Sequence, residues 1–280
     1  MERAVKAVSP RETKLGICAY CGNFRSLCRS HAIPNAAFKQ IFRSSGGQGI
    51  AVPAGDGYVH RTSESGATFL LCEEDEKLFN RKFDGPLINL LKRLDNEIQK
   101  SGGPAKIEFP ADQAAHAIVS IVWRICASPA NMYSLVRLNR DHRMEVSRIF
   151  GLQSSDILKN CAVRLSWLFD GSKADQNGFD RKNMGQFIKS PEAFSIRVRP
   201  NGKLNRFAID WTMFGFLIHV VVPRIPYPRS KNFGGLRLGS EWIDAAPVDL
   251  FQYQPILDVL VAGYAKNAEG KLTPNLKRRQ

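Results

Sequence analysis

Cys18 and Cys21 stand three positions apart in "CAYCG", and Cys72 and Asp75 repeat that spacing in "CEED". Two thiolates at C-x-x-C can reach one metal ion together, and a tetrahedral structural zinc needs two further ligands. The candidates are Cys28, His31, His60, Cys72 and Asp75. Cys72 ends the strand-like run "ATFLLC", and Asp75 falls in the first turn of the helix-like run that follows. Both side chains can therefore face one ion from a strand-to-helix junction. Carboxylate oxygen is an acceptable zinc ligand, though rarer than thiolate at structural sites. The rival closure is Cys28 with His31, which gives C-x2-C-x6-C-x2-H within one short segment. It leaves Cys72 unused and commits His31, so Cys72 with Asp75 is the preferred pair. A redox pair that holds no metal is the remaining reading of C-x-x-C.

Charge narrows the partner. Forty Lys and Arg face 26 Asp and Glu, for a net +14. A field of that sign attracts polyanions, of which nucleic acid is the commonest. The expected partner is nucleic acid, and DNA first. Arg137, Arg140 and Arg143, with Arg148 and His142, make "RLNRDHRMEVSR" a basic helical surface fit for phosphate oxygens. Its acids Asp141 and Glu145 allow the plainer reading of a solvated, self-paired helix face. Six cysteines in a chain of 280 residues do not make a disulfide framework. Cys126 and Cys161 lie in apolar runs and read as core thiols. The start "MERAVKAVSPRETK" has no apolar h-region, and "AAHAIVSIVW" and "WTMFGFLIHVVV" are too short to span a bilayer. The expectation is a cytoplasmic protein without a membrane partner. Oligomeric state is left open.

The stretch "CAYCG…LCRSHAIPNAAF…FLLCEEDEKLFN" resembles the HNH nuclease superfamily, and more narrowly a group of bacterial HNH-like proteins with a C-x-x-C, S-H-x-I-P, L-L-C-x-x-C-E pattern. The match covers roughly the first third of the chain. The resemblance implies a treble-clef ββα-metal fold with a structural zinc held by Cys18, Cys21, Cys72 and Asp75. It implies a metal-dependent endonuclease, a hydrolase acting on phosphodiester bonds. His31 would be the general base that activates water. Glu76 would be a ligand of the catalytic Mg2+ or Mn2+, which neutralises the scissile phosphate. The chain departs from the pattern at Ser30, where many active members carry a metal ligand, and at Asp75, where the group has cysteine. Two alternatives stand beside the nuclease: a catalytically inactive zinc-stabilised nucleic-acid-binding protein, and an interaction or scaffold protein of a mobile-element or defence system.

These residues need elements to position them. Residues 1–14 read as a basic arm, 15–98 as the zinc module and 105–280 as an α+β C-terminal domain of unknown role, with "QKSGGPAK" between the last two. The fold class is α+β: the zinc-bound treble clef, then a helical segment, then a small antiparallel sheet. "AIPNAAFKQIFR" predicts a helix, and "SSGGQGIAVPAGDGYV" a loop or a hairpin turning at "GDG". "EEDEKLFNRKFDGPLINLLKRL" predicts a helix that bends or restarts at Gly85-Pro86, with Asp84 at the break. Glu73, Glu74, Asp75 and Glu76 suit a first turn for dipole reasons alone. "ADQAAHAIVSIVWRICAS", "NMYSLVRLNRDHRMEVSRIFG" and "SSDILKNCAVRLSWLF" read as helices, and the last stretch "FQYQPILDVLVAGYAKN" as another. "AFSIRVRPNGKLNRFAIDW" predicts a hairpin, with Arg197 and Arg199 off one face, and "FGFLIHVVVP" a third strand. Arg124, inside an apolar helix, calls for a buried carboxylate or carbonyl partner. His116 and His219 read as core histidines.

Overall fold

The computed structural model describes residues 13–53, 55–172, 179–197, 205–224 and 233–273. In chain order the N-terminal elements are β1 (Thr13–Ile17), β2 (Phe24–Ser30), α1 (Asn35–Ser44), β3 (Gly49–Ala51), β4 (His60–Thr62), β5 (Thr68–Cys72) and α2 (Glu73–Phe79). Strands β1 and β2 form an antiparallel hairpin, and β5 pairs antiparallel with β2 to give the order β1-β2-β5. The expected basic arm ends earlier than residue 14, because Thr13 and Lys14 already pair with β2; the rest of that arm lies outside the described residues. The glycine-rich connection is a hairpin, β3 against β4.

Helix α2 does not stop at Gly85-Pro86. It runs through a π-helical turn (Asn80–Asp84) into α3 (Gly85–Ser101). Pro86 has no N–H to give, and its ring would crowd the carbonyl four residues back. The wider turn absorbs both problems: the Gly85 N–H reaches back five residues to the Asn80 carbonyl. A Cβ on Gly85 would stand 3.0 Å from that oxygen, so glycine is what lets the backbone close in. Helix α3 ends at Gly102, whose φ of 66° gives the left-handed cap and whose N–H returns to Ile98.

Beyond it come β6 (Lys106–Glu108), α4 (Ala111–Ala127), α5 (Arg140–Phe150), α6 (Ser154–Asn160), β7 (Ala162–Phe169), α7 (Arg181–Met184), β8 (Glu192–Arg197), β9 (Asn205–Met213), β10 (Phe216–Val222), β11 (Trp242–Asp244), β12 (Ala246–Asp249) and α8 (Gln254–Ala268). Helix α4 is buried almost all round, as a helix apolar on every face must be. One connected set of buried apolar side chains runs from Cys18 and Leu71 through α3 and α4 to Phe207, Ile209 and Trp211 of β9.

Three sequence expectations change here. "NMYSLVRLNRDHRMEVSRIFG" opens with one short 3-10 turn (Asn131–Tyr133) and is α-helical only from Arg140, where the Asn139 side chain accepts the His142 N–H as an N-cap. "AVRLSWLF" is not helix but strand β7, paired on both sides. Its residues are covered on both faces, so it lacks the alternation that marks a half-exposed strand. The C-terminal sheet is also larger than expected, with five strands in the order β12-β7-β10-β9-β8, and β12 joins it parallel to β7. The β8–β9 pairing agrees with the hairpin expected around "PNGK", although that turn and Arg199 lie outside the described residues.

Arg124 has the buried partner its setting demanded. Its Nη1 and Nη2 donate to Asp84 Oδ2 at 2.9 Å and Oδ1 at 2.5 Å. Nη1 also donates to the His31 carbonyl at 2.9 Å, and Nε to the Ser120 carbonyl at 3.4 Å. Asp84 is thus a buried counter-ion inside a continuous helix rather than a residue at a helix end. Removing one member of such a pair strands the other charge in the core. Asp84→Asn is expected to lower stability by about 3 kcal/mol in denaturant titrations, and the apolar double variant Asp84→Leu/Arg124→Met to recover most of that loss.

The histidines set a second expectation. His116 is bonded through Nδ1 to Ser154 Oγ at 2.8 Å and through Nε2 to the Phe150 carbonyl at 3.1 Å. Burial, and then the nearby Arg164, push His219 down to about 4. The folded chain therefore holds fewer protons than the unfolded one between about 4 and the ordinary histidine range. The stability this contributes is complete above about pH 6.5 and is lost as pH falls towards 4. Denaturant midpoints measured across that window should decline for the wild type, and less steeply for His219→Leu.

Candidate metal centre

The four residues picked out by spacing converge. One ligand atom each from Cys18, Cys21, Cys72 and Asp75 lies within 4.8 Å of the other three. Cys18 and Cys21 sit in the turn between β1 and β2. Gly22, at φ 73°, brings the chain back, with its N–H on the Cys18 carbonyl at 2.9 Å. The Cys18 N–H donates to Asn23 O at 2.9 Å, and the Ala19 N–H to Leu70 O at 3.0 Å, which pins the turn to β5. Cys72 closes β5, and Asp75 lies one turn into α2. The cluster joins a hairpin turn to a strand–helix junction more than fifty residues away in sequence.

The donors already face each other. The Cys18 and Cys72 thiols donate to Asp75 Oδ2 at 3.0 and 3.1 Å, and the Cys72 N–H points at Cys18 Sγ at 3.3 Å. Burial pushes the Cys72 thiol up to about 12, with the neighbouring Asp75 and Cys18 adding to the rise. Cys21, at the exposed rim, is held down by the Asn23 backbone but is raised overall by burial and by its cluster neighbours. Burial alone would raise Asp75, yet the hydrogen bonds from Cys18, Cys72 and Cys21 outweigh it and hold the carboxyl below its ordinary range. The carboxylate and three thiols of this 4.8 Å cluster could hold a metal ion, and binding one would displace the thiol protons.

The rival ligands lie elsewhere. Cys28 and His31 are outside the cluster, so the local closure C-x2-C-x6-C-x2-H is not formed. His60 is exposed on β4, with Nδ1 on the Tyr58 carbonyl at 3.0 Å. Glu73 and Glu74 face solvent beside Lys77 at 2.8 Å and Arg25 at 3.7 Å, as a helix first turn allows.

His31 follows directly on β2. Its Nε2 meets Ser65 Oγ at 2.8 Å, its ring lies against Phe38, and its carbonyl is held by Arg124. Burial, then the charges of Arg124, Arg29 and Lys39, push the imidazole down to about 4, so it is neutral at pH 7. Glu76 lies on α2, which packs against β2. Its Oε1 accepts from Asn80 Nδ2 at 3.4 Å, and its Oε2 is buried with no hydrogen-bond partner among the described residues. His31 and Glu76 belong to no group of three or more His, Cys, Asp or Glu ligands there. Ser30 is spent on structure: its buried Oγ accepts the Leu71 N–H at 3.3 Å and donates to the Cys28 carbonyl at 3.4 Å, across the irregular point of the β2–β5 ladder. Ser65 and Tyr133, whose hydroxyl takes the Ile33 N–H at 3.4 Å, also shape this end of β2. Neither carries a sequence signal, because each reaches it from a segment distant in the chain.

The basic surface is as exposed as its composition implied. Arg137, Arg140 and Arg143 face solvent, and Arg140, Arg143, Met144 and Arg148 line one open groove along α5. Arg148 is engaged bidentately by Glu145 at 2.7 and 2.8 Å. Arg143 gives its Nε to the Leu138 carbonyl at 3.2 Å. Comparison with protein-family models, with curated proteins and with solved structures yields no match to this chain. No helix among the described residues is long and apolar enough to cross a membrane.

Elemental analysis of the purified protein should find about one bound divalent ion per chain. Cys18→Ser and Cys72→Ser should lose it and cost on the order of 3 kcal/mol or more. Asp75→Cys should keep the ion and hold it more tightly against EDTA.

Proposed function

We propose that this chain is an HNH-like protein that binds nucleic acid and hydrolyses phosphodiester bonds, with a structural zinc in a treble-clef module. What supports the reading is one observation: the four ligand atoms tie the β1–β2 turn to the β5–α2 junction and leave His31 and Glu76 outside the metal. Three thiols with one carboxylate suit zinc. Structural and reactive roles then fall to different residues.

In this mechanism Arg137, Arg140 and Arg143 draw the phosphate backbone to the protein through charge-assisted contacts. His31 is neutral at pH 7 and keeps a lone pair with which to take a proton from the attacking water. Burial does most to hold its proton affinity down and the charges of Arg124, Arg29 and Lys39 add to it; an anionic phosphodiester would offset only the charges. Magnesium or manganese, when bound, would neutralise the phosphate and the leaving oxygen, and the unpartnered Glu76 Oε2 is the protein oxygen suited to hold it.

Nucleic-acid binding without hydrolysis is the second reading. It is favoured by the lack, among the described residues, of a second group of three ligands around His31 and Glu76. Plasmid and single-stranded DNA incubated with wild type and His31→Ala, with magnesium, manganese or EDTA, separate the two. The expected outcome is metal-dependent cleavage that falls at least about a hundredfold in His31→Ala at unchanged zinc content. Retained DNA binding with no cleavage under any metal would select the second reading. Loss of zinc in His31→Ala would overturn the assignment of separate roles.

A further inference from the structure

Helix α5 buries Val146, Ile149 and Phe150 and turns another face to solvent. On that face Arg140, Arg143, Met144, Ser147 and Arg148 recur at the three- and four-residue spacing that keeps side chains on one side of a helix. Together with Leu138 they line an open groove of about 760 Å3, within the size range of small-ligand sites. The acids of the helix stand to one side. Asp141 follows Arg140 and Glu145 follows Met144, each about 100° further round the axis. Glu145 spends both oxygens on Arg148. Arg140 and Arg143 enter no ion pair among the described residues, and Arg143 gives only its Nε, to the Leu138 carbonyl at 3.2 Å. Two uncompensated guanidinium groups therefore share one end of the groove.

What lies beside those cations bears on which anion they take. Met144 is 59% exposed and adjoins both arginines, and the buried Leu138 lines the same groove. A duplex offers such a face its phosphates and sugars, because its bases are stacked away inside. An unpaired strand offers a bare base next to each phosphate, and its π-face packs well against apolar and polarisable groups such as a thioether. We propose that the α5 groove takes an unpaired strand of nucleic acid, with phosphates on Arg140 and Arg143 and a base over Met144 and Leu138. The proposal rests on the nucleic-acid reading above and narrows it from any polyanion to a single strand. The arginine forks match phosphate oxygens, and the Ser147 hydroxyl, without a partner among the described residues, is there to meet a base edge or sugar.

Fluorescence anisotropy on the full-length, metal-loaded protein would compare a labelled single-stranded oligonucleotide, as DNA and as RNA, with the DNA duplex of the same sequence. Salt is matched, and no magnesium or manganese is added, so that no strand is cut. Both single strands are expected to bind about tenfold or more tighter than the duplex. Met144→Ala should lose most of that preference and leave duplex binding unchanged. Arg140→Gln and Arg143→Gln should weaken binding of every form, each lowering the salt slope by about one. Equal or tighter binding of the duplex, or a preference untouched by Met144→Ala, would overturn the unpaired-strand assignment and leave the nucleic-acid reading standing. Polyglutamate that competes as well as the single strand would overturn it too, since charge alone would then suffice. Binding of neither strand nor duplex would sink the nucleic-acid reading itself, and this inference with it.

Discussion

The fork between Arg124 and Asp84 is the joint on which the two halves of the molecule meet. Arg124 belongs to the most buried helix, α4, and its partner sits in the π-turn below the metal centre. A third bond from the same guanidinium holds the carbonyl of His31 at the exit of β2. A charged group this deep contributes little net free energy if it is well paired. What it supplies is position, because five donors in a rigid plane accept few arrangements. The end of β2, the helix that carries Glu76 and the central helix are thus related by one rigid group. Its cation also bears on His31, so the same contact that places the imidazole helps keep it neutral.

The metal cluster works at the other end of the same helix and by a different logic. The apolar core reaches Cys18 and Cys72 but ends there. Outside it, the β1–β2 hairpin has Leu15, Ile17 and Phe24 largely exposed, so burial gives that hairpin little hold. Two isolated strands are marginal in water. A metal ion held by the four ligand atoms would cross-link their turn to the β5–α2 junction and replace the missing apolar contacts with a few directional ones. Small modules with thin cores commonly use a metal in this way.

Much of this was legible in the sequence where a residue type has few uses. C-x-x-C with C-x-x-D named the four cluster members, a lone arginine in an apolar helix announced a buried partner, and "PNGK" between alternating runs pointed to paired strands. Illegible were the features set by partners remote in the chain. β7 hides its strand character because neighbours cover it on both faces, and nothing in "DGP" says that Asp84 will meet an arginine forty positions on. The surroundings of His31 come from Ser65 and Arg124, which neither motif nor periodicity links to it. That Arg164, His219, Asp210 and Glu192 line up across neighbouring strands is a matter of strand register, which no single segment encodes.

The π-turn at Asn80–Asp84 sets a rule of arithmetic for the chain. Each residue of a helix advances the next by about 100° around the axis. The extra residue in this turn is the phase correction that lets Asp75 face the metal ligands while Asp84 faces Arg124 and Leu87, Leu90 and Leu94 face the core. Substitutions along this helix act one side chain at a time. A deletion of one residue between Asp75 and Asp84 would instead rotate one set of contacts away from the other. In this segment the length of the chain is therefore under a stricter constraint than its spelling.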